Sequence, residues 1–144
     1  MLEHAKNLVK VLPAVLLLAV TVIPGSSAQA SEGYFCDSYD ECRGLFHTAA
    51  EMAAADISGA KVWAVPLDHV GDDNLFIDAA FYPAPTTGEK KLLILSSGIH
   101  GLEGYTGSAI QRLFTRELLP DAQKQGIDVL MMHGINAFGM KHTA

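Results

Sequence analysis

Residues 91–104 read KLLILSSGIHGLEG, and this stretch decides the fold. Its run of four apolar residues without alternation is typical of a central strand covered on both faces. A glycine-rich loop follows, and the pattern then predicts a helix over Gly104–Leu119 that Pro120 ends. A further strand is predicted over Ile127–Met132. The order strand, helix, strand predicts a parallel, right-handed βαβ unit.

The preceding part of the chain adds one helix and two strands. Apolar residues at helical spacing predict a helix over Tyr39–Ala55, and strand patterns cover Lys61–Leu67 and Leu75–Tyr82. A polar turn joins the two strands, which we expect to pair antiparallel. The predicted fold class is therefore α/β: a mixed sheet in which an antiparallel strand pair leads into a parallel βαβ unit, flanked by helices.

Length and charge limit the classes of protein that fit. A chain of 144 residues has room for one domain with a real core, not two. It carries 10 Lys plus Arg against 16 Asp plus Glu, a net charge of −6. Nucleic-acid binding needs clustered basic residues to contact phosphates, so we predict no nucleic-acid partner.

Residues 1–30 have the pattern of a secretory signal peptide. Lys6 and Lys10 precede an uncharged apolar run, Val11–Ile23, and Ala28 and Ala30 are small residues of the kind that a signal peptidase accepts. The run is too short to span a bilayer core of ~30 Å, so we expect no stable membrane span after cleavage. The mature chain would be residues 31–144, secreted or periplasmic. An uncleaved N-terminal anchor is the alternative.

Two cysteines, Cys36 and Cys42, remain in the mature chain. Export places them in an oxidising compartment, where a disulfide between them is plausible. The loop between them is short, so the entropic gain would be modest. The alternative is a pair of free thiols.

His100 and Glu103 are the candidate metal ligands. They lie three residues apart where the strand ends, and we expect Gly101 and Gly104 to let the backbone turn tightly so that both side chains converge. An imidazole and a carboxylate suit Zn²⁺, whose catalytic sites use three protein ligands and keep one position for water. The alternative is a capped helix start, in which Glu103 is favourable near the positive end of the helix dipole.

Other readings of the same region fit less well. Gly98, Gly101, Gly104 and Gly107 follow neither a dinucleotide-binding nor a Walker pattern. A serine hydrolase would need a G-x-S-x-G elbow, which the sequence lacks. His133 follows the last strand at the same sheet edge, where it either supports the site or is a hydrogen-bonded structural histidine.

Residues 100–111, HGLEGYTGSAIQ, resemble the zinc-motif segment of the zinc carboxypeptidase-like superfamily. The closest likeness is to an uncharacterised bacterial branch, a domain of unknown function, with a His-Gly-Val-Glu-Gly motif followed by Gly-Ser. Residues 133–139, HGINAFG, resemble its later segment, although Ala137 stands where that branch usually has proline. The resemblance extends over Tyr39–Ala144.

The resemblance implies a mixed α/β sheet with zinc at the carboxyl edge of its strands. His100 and Glu103 match the first two zinc ligands of the superfamily, and His133 and Asn136 are candidates for supporting them. The superfamily hydrolyses amide bonds, so the expected substrate is a peptide or an acylated amino acid. In its mechanism zinc activates a water molecule, and a glutamate takes the proton of that water.

The third zinc ligand and the general base of that superfamily lie beyond the point where this sequence stops. No catalytic residue can therefore be assigned here, and we expect the N-terminal portion of an incomplete zinc carboxypeptidase-like domain that is inactive by itself. The alternative is a non-catalytic exported α/β binding module.

Overall fold

A computed structural model describes residues 33–68, 71–86 and 88–142. The predicted signal peptide, residues 1–30, lies outside the described residues. Within the described ranges, no helix is both long enough and apolar enough to cross a membrane.

Four strands and five helical segments follow one another along the chain. In chain order they are α1 (Tyr39–Ala55), β1 (Lys61–Pro66), β2 (Phe76–Tyr82), β3 (Lys91–Ser96), α2 (Glu103–Leu113), a π-helical turn (Phe114–Leu118), α3 (Leu119–Lys124), β4 (Ile127–His133) and α4 (Ala137–His142). Ser38 is the N-cap of helix α1, and its side chain accepts a hydrogen bond from the backbone N–H of Glu41. The predicted helix over Tyr39–Ala55 is confirmed to the residue.

The strands form one mixed sheet in the order β1-β2-β4-β3. Strands β1 and β2 pair antiparallel, as do β2 and β4, whereas β3 and β4 pair parallel. The predicted α/β fold with a mixed sheet flanked by helices is confirmed. The parallel pair brings the ends of β3 and β4 to the same edge, with Ser96 beside Met132.

The main hydrophobic core lies between one face of the sheet and the helices. Alternate residues of β2 and β4 face the helices, because successive side chains of a strand point to opposite faces. The buried members of this core are Phe46, Ala50, Ala80, Tyr82, Leu119, Ala122, Val129 and Met131.

The prediction that residues 91–97 form a central strand covered on both faces is wrong. Strand β3 has β4 as its one neighbour among the described residues, so it lies at an edge. Leu93 and Leu95 pack against the core, but Leu92 and Ile94, on the other face, are 57% and 54% exposed. The cause is the position of β4, which lies between β2 and β3 instead of outside β3.

The prediction that Pro120 ends the helix is also wrong. The helical path continues to Lys124 through the π turn, in which the N–H of Leu119 donates to the carbonyl of Phe114, five residues earlier. Pro120 then lies in the first turn of α3, where a missing N–H costs no intrahelical hydrogen bond. Burial of Leu119 and Ala122 holds this last segment against the sheet.

A second hydrophobic cluster joins the N-terminal segment to the last helix. Cys36 and Cys42 form a disulfide within it. The buried members are Cys36, Cys42, Tyr39, Leu75, Ala137 and Met140. Helix α4, which the sequence did not predict, therefore packs against the start of α1.

Candidate metal site

The loop from Ser97 to Leu102 connects β3 to α2 and carries His100. Gly98 and Gly101 have φ values of +68° and +135°, which side chains other than hydrogen rarely allow. These two residues turn the chain so that the imidazole of His100 points into solvent, with 86% of its side chain exposed. Glu103 begins α2 and is 47% exposed.

Gly104 serves close packing, not the tight turn that the sequence predicted. It is helical, and a Cβ there would lie 2.7 Å from the sulfur of Met140 and 3.0 Å from the Cα of Gly98. A Cβ at Gly107 would lie 2.5 Å from the Cβ of Ser97. Helix α2 therefore approaches the loop that carries His100 closely, without side chains of its own at these two positions, and Met140 of α4 packs beside the contact.

The two predicted ligands lie side by side. His100 Nδ1 and Glu103 Oε1 are 3.5 Å apart, and the backbone N–H of His100 donates to the same carboxylate oxygen. This hydrogen bond is the first cause of a lowered pKa for the Glu103 carboxyl. Leu102, the N-cap residue, makes no side-chain cap, and the Glu103 carboxylate bonds to His100 in the loop before the helix.

The separation of the two donor atoms fits one shared zinc ion. Metal–ligand distances of about 2.1 Å in tetrahedral geometry place two donors about 3.4 Å apart. The observed 3.5 Å therefore needs little adjustment of either side chain. Across the described part of the chain, no group of three or more His, Cys, Asp or Glu residues is arranged to hold a metal ion.

Asn136 forms hydrogen bonds with the backbone around His100. Among the described residues, it forms none with the imidazole of His100. Its N–H donates to Gly98 O at 2.6 Å, and its side-chain amide donates to His100 O at 3.3 Å. Its own side-chain oxygen accepts the N–H of Gly139 in α4 at 2.9 Å. The loop after β4 is thus hydrogen-bonded to the loop after β3.

The sequence did not single out Gln111 as a site residue, although its side chain makes three hydrogen bonds beside the loop that carries His100. Its side-chain oxygen accepts the hydroxyl of Ser97 at 3.0 Å. Its side-chain nitrogen donates to Leu95 O at 2.9 Å and to Met132 O at 3.0 Å. One feature of the sequence could have pointed to Gln111. It is a polar residue at helical spacing from Gly104 and Gly107, on the face of α2 that meets the sheet.

His133 lies in a different environment from the predicted ligands. It is fully buried at the end of β4, stacked on Phe46 with ring centroids 4.8 Å apart. Its Nδ1 is 3.7 Å from Asp78 Oδ2, and neither ring nitrogen has a hydrogen-bond partner among the described residues.

Asp78 is the centre of a buried charged cluster beside His133. Its carboxylate accepts two hydrogen bonds from Arg43, at 2.7 and 2.8 Å, and lies 2.9 Å from Nε2 of His47. Burial raises the pKa of Asp78, but Arg43 and the imidazoles of His133 and His47 outweigh it and hold that pKa well below its usual range. The sequence signal was a lone carboxylate inside the apolar strand FIDAAFY.

Comparison with known proteins gives one match. Residues 35–144 match the model of a family described as "Protein of unknown function (DUF2817)". Neither a curated protein nor a solved structure shows a match to the sequence or the fold of the chain.

Proposed function

This chain belongs to the DUF2817 family, and we propose that it is part of an exported, zinc-dependent hydrolase of the zinc carboxypeptidase-like superfamily. His100 and Glu103 are its zinc ligands in this proposal. The observation that carries it is the 3.5 Å separation of His100 Nδ1 and Glu103 Oε1 at the carboxyl edge of the parallel strands. Ligands of α/β sheets commonly bind beyond that edge.

The chemistry of the donors supports zinc among the divalent ions. A neutral imidazole nitrogen and a carboxylate oxygen are common zinc donors. Both side chains are solvent-exposed, so an ion and a substrate can reach them. The exposed face leaves room for ligands that this pair does not supply.

The proposed reaction is hydrolysis of a peptide bond or of the amide bond of an acylated amino acid. Zinc, when bound, would supply an activated water molecule and a polarised carbonyl. His100 and Glu103 would hold the ion, and Asn136 fixes the backbone carbonyl of His100. Among the residues that the structure describes, two ligands and no general base are assigned, and we propose that the chain does not turn over substrate by itself.

Secretion or export to a periplasm is part of the proposal. The signal pattern of residues 1–30 motivates it. The disulfide between Cys36 and Cys42 supports it, because disulfides persist in oxidising compartments and are rare in the cytosol.

A non-catalytic exported binding module is the second candidate. It is favoured by the hydrogen bond from the His100 N–H to Glu103, by which this glutamate holds the loop that precedes α2. In that case the pair would need no metal.

Zinc content of the purified chain tests the two candidates. We would measure bound zinc per chain for the wild type, for the double variant His100→Ala plus Glu103→Ala, and for Glu51→Ala, an exposed acidic residue of α1, as the control. Zinc bound by the wild type and the control but lost in the double variant supports the proposal. Equal zinc in all three proteins, or none in any, contradicts the assignment of these ligands.

A further inference from the structure

Gln111 connects three elements through one buried amide. The residue is 2% exposed, lies in the last turn of α2, and bonds to the ends of both parallel strands. Its nitrogen reaches Leu95 O in β3 and Met132 O in β4, and its oxygen accepts the Ser97 hydroxyl. Helix α2 is therefore tied to the two strands at the edge where His100 leaves the sheet.

An amide is the group that this position requires. The amide N–H groups bond to the two strand carbonyls, of which Met132 O also accepts the N–H of Ser97, and the amide oxygen accepts the Ser97 hydroxyl, so a glutamine side chain provides both donor and acceptor. A leucine of similar size would remove all of these bonds and leave the buried Ser97 hydroxyl without this acceptor, which is costly. A glutamate would place a negative charge against the same two carbonyls.

The rest of the contact between α2 and the loop is smooth. Gly104 meets Gly98 and the side chain of Met140, and Gly107 meets Ser97, so α2 contributes no side chain of its own at these two points of contact. Such a surface resists separation but fixes sliding and rotation of the helix poorly. Directional hydrogen bonds at Gln111 supply that missing constraint.

Sliding of α2 would move one predicted ligand relative to the other. Glu103 is the first residue of α2, while His100 lies on the loop that leaves β3. One residue of helical rise is about 1.5 Å. A shift of that size exceeds the tolerance of a metal–ligand distance, about 0.2 Å, several times over. The spacing of the pair therefore depends on how α2 is held against the strands.

We infer that Gln111 is a positioning residue that sets the spacing of His100 and Glu103. The inference rests on the proposed zinc function, because the spacing matters chemically only if both residues bind one ion. It assigns Gln111 no contact with the ion or with substrate.

The test compares Gln111→Leu with Thr115→Val in the purified full chain. Thr115 is also buried and one turn further along, and its hydroxyl bonds to Gln111 O and Met131 Sδ but not to the strand ends. Zinc affinity would be measured by competition with a chromophoric chelator, at a temperature where circular dichroism shows each protein fully folded. We expect about tenfold weaker zinc binding for Gln111→Leu, as for loss of a supporting partner, and no more than about twofold for Thr115→Val.

A purely structural role predicts a different result. Both variants would then be less stable, yet each would bind zinc like the wild type once folded. That outcome would overturn the inference while leaving the zinc proposal in place. Should Gln111→Leu fail to fold, Gln111→Asn, which keeps the amide on a shorter side chain, replaces it with the same expectation in direction.

A second readout does not depend on zinc. The amide proton of His100 reports its hydrogen bond to Glu103, and its NMR chemical shift can be measured in the metal-free protein. We expect the shift to move upfield in Gln111→Leu and to stay in place in Thr115→Val. If the wild type binds no zinc, the zinc proposal fails by itself, and an unchanged His100 shift in Gln111→Leu would then overturn the inference as well.

Discussion

At the scale of single residues, Asp78 shows how a buried charge is kept in this fold. Its carboxylate has no exposed surface, and the Arg43 guanidinium that pairs with it also lies 4.0 Å from the centre of the Phe76 ring. Arg43 and His47 are one helical turn apart on α1, so both reach the same carboxylate on β2. The cluster thereby joins α1 to the sheet.

Replacing Asp78 by asparagine should therefore be strongly destabilising. The change leaves Arg43 without its counter-charge in a largely buried site. Removing one partner of a buried ion pair typically lowers the free energy of unfolding by about 3–5 kcal/mol. Urea denaturation would measure the free energy of unfolding. Asp121→Asn, which breaks the exposed pair with Lys124, is the control and should cost at most about 1 kcal/mol. Equal losses in the two variants would contradict the expectation.

The same residue makes the protein sensitive to acid. The pKa of Asp78 is lower in the folded chain than its ordinary value of 3.8, so below about pH 5 the unfolded chain binds more protons than the folded one. The stability that Asp78 contributes is fully present at neutral pH and declines as the pH falls through about 4 and below. Urea denaturation between pH 7 and pH 3 should show a smaller decline for Asp78→Asn than for the wild type. Parallel declines would show that Asp78 is not responsible.

At the scale of elements, strand β3 divides sharply into a packed face and an exposed face. Leu93 and Leu95 contact the core, whereas Leu92 and Ile94 face away from the helices. A run of four apolar residues does not reveal this difference, since it gives both faces of the strand the same chemistry.

Truncation of one side chain on each side of the sheet measures that division. Met131 of β4 is fully buried, so Met131→Ala should cost about 2–5 kcal/mol of unfolding free energy by leaving a cavity. Ile94→Ala, on the exposed face of β3, should cost less than about 1 kcal/mol. Thermal or urea denaturation of both variants provides the comparison. A loss at Ile94 as large as that at Met131 would mean that the exposed face is covered in solution.

At the scale of the whole molecule, the described helices lie on one side of the sheet. The register places Trp63 beside Ala79, and Ile94 beside Leu130, on the face opposite to the main core. Several large apolar side chains of that face are exposed, among them Trp63, Val65, Leu92 and Ile94. The structure is thus layered, with one sheet and one layer of helices.

The disulfide connects the N-terminal segment to this architecture. Cys36 and Cys42 are both buried and close a short loop, for which chain-entropy arguments give a stabilisation of about 2 kcal/mol. Adding a reductant should lower the free energy of unfolding by about that amount in the wild type. A Cys36→Ser plus Cys42→Ser variant should be less stable from the start and unaffected by the reductant. A reductant effect that persists in the variant would contradict this assignment.

The sequence by itself determined the features that depend on local pattern. Apolar spacing and glycines predict helix α1, the approximate strand positions, the order of the βαβ unit and the loop that carries His100. These signals are local because periodicity and backbone freedom act over a few neighbouring residues. The pairing of the first two strands followed from the polar turn between them.

Only the tertiary structure decided the features that depend on distant partners. The placement of β4 made β3 an edge strand, and burial of Leu119 carried the helix past Pro120 through a π turn. The partners of Gln111 and Asp78 come from elements far away in sequence, so neither network could be derived from spacing. The physical reason is that packing and hydrogen bonding between elements are fixed by the whole fold, whereas sequence pattern records only which face of each element is apolar.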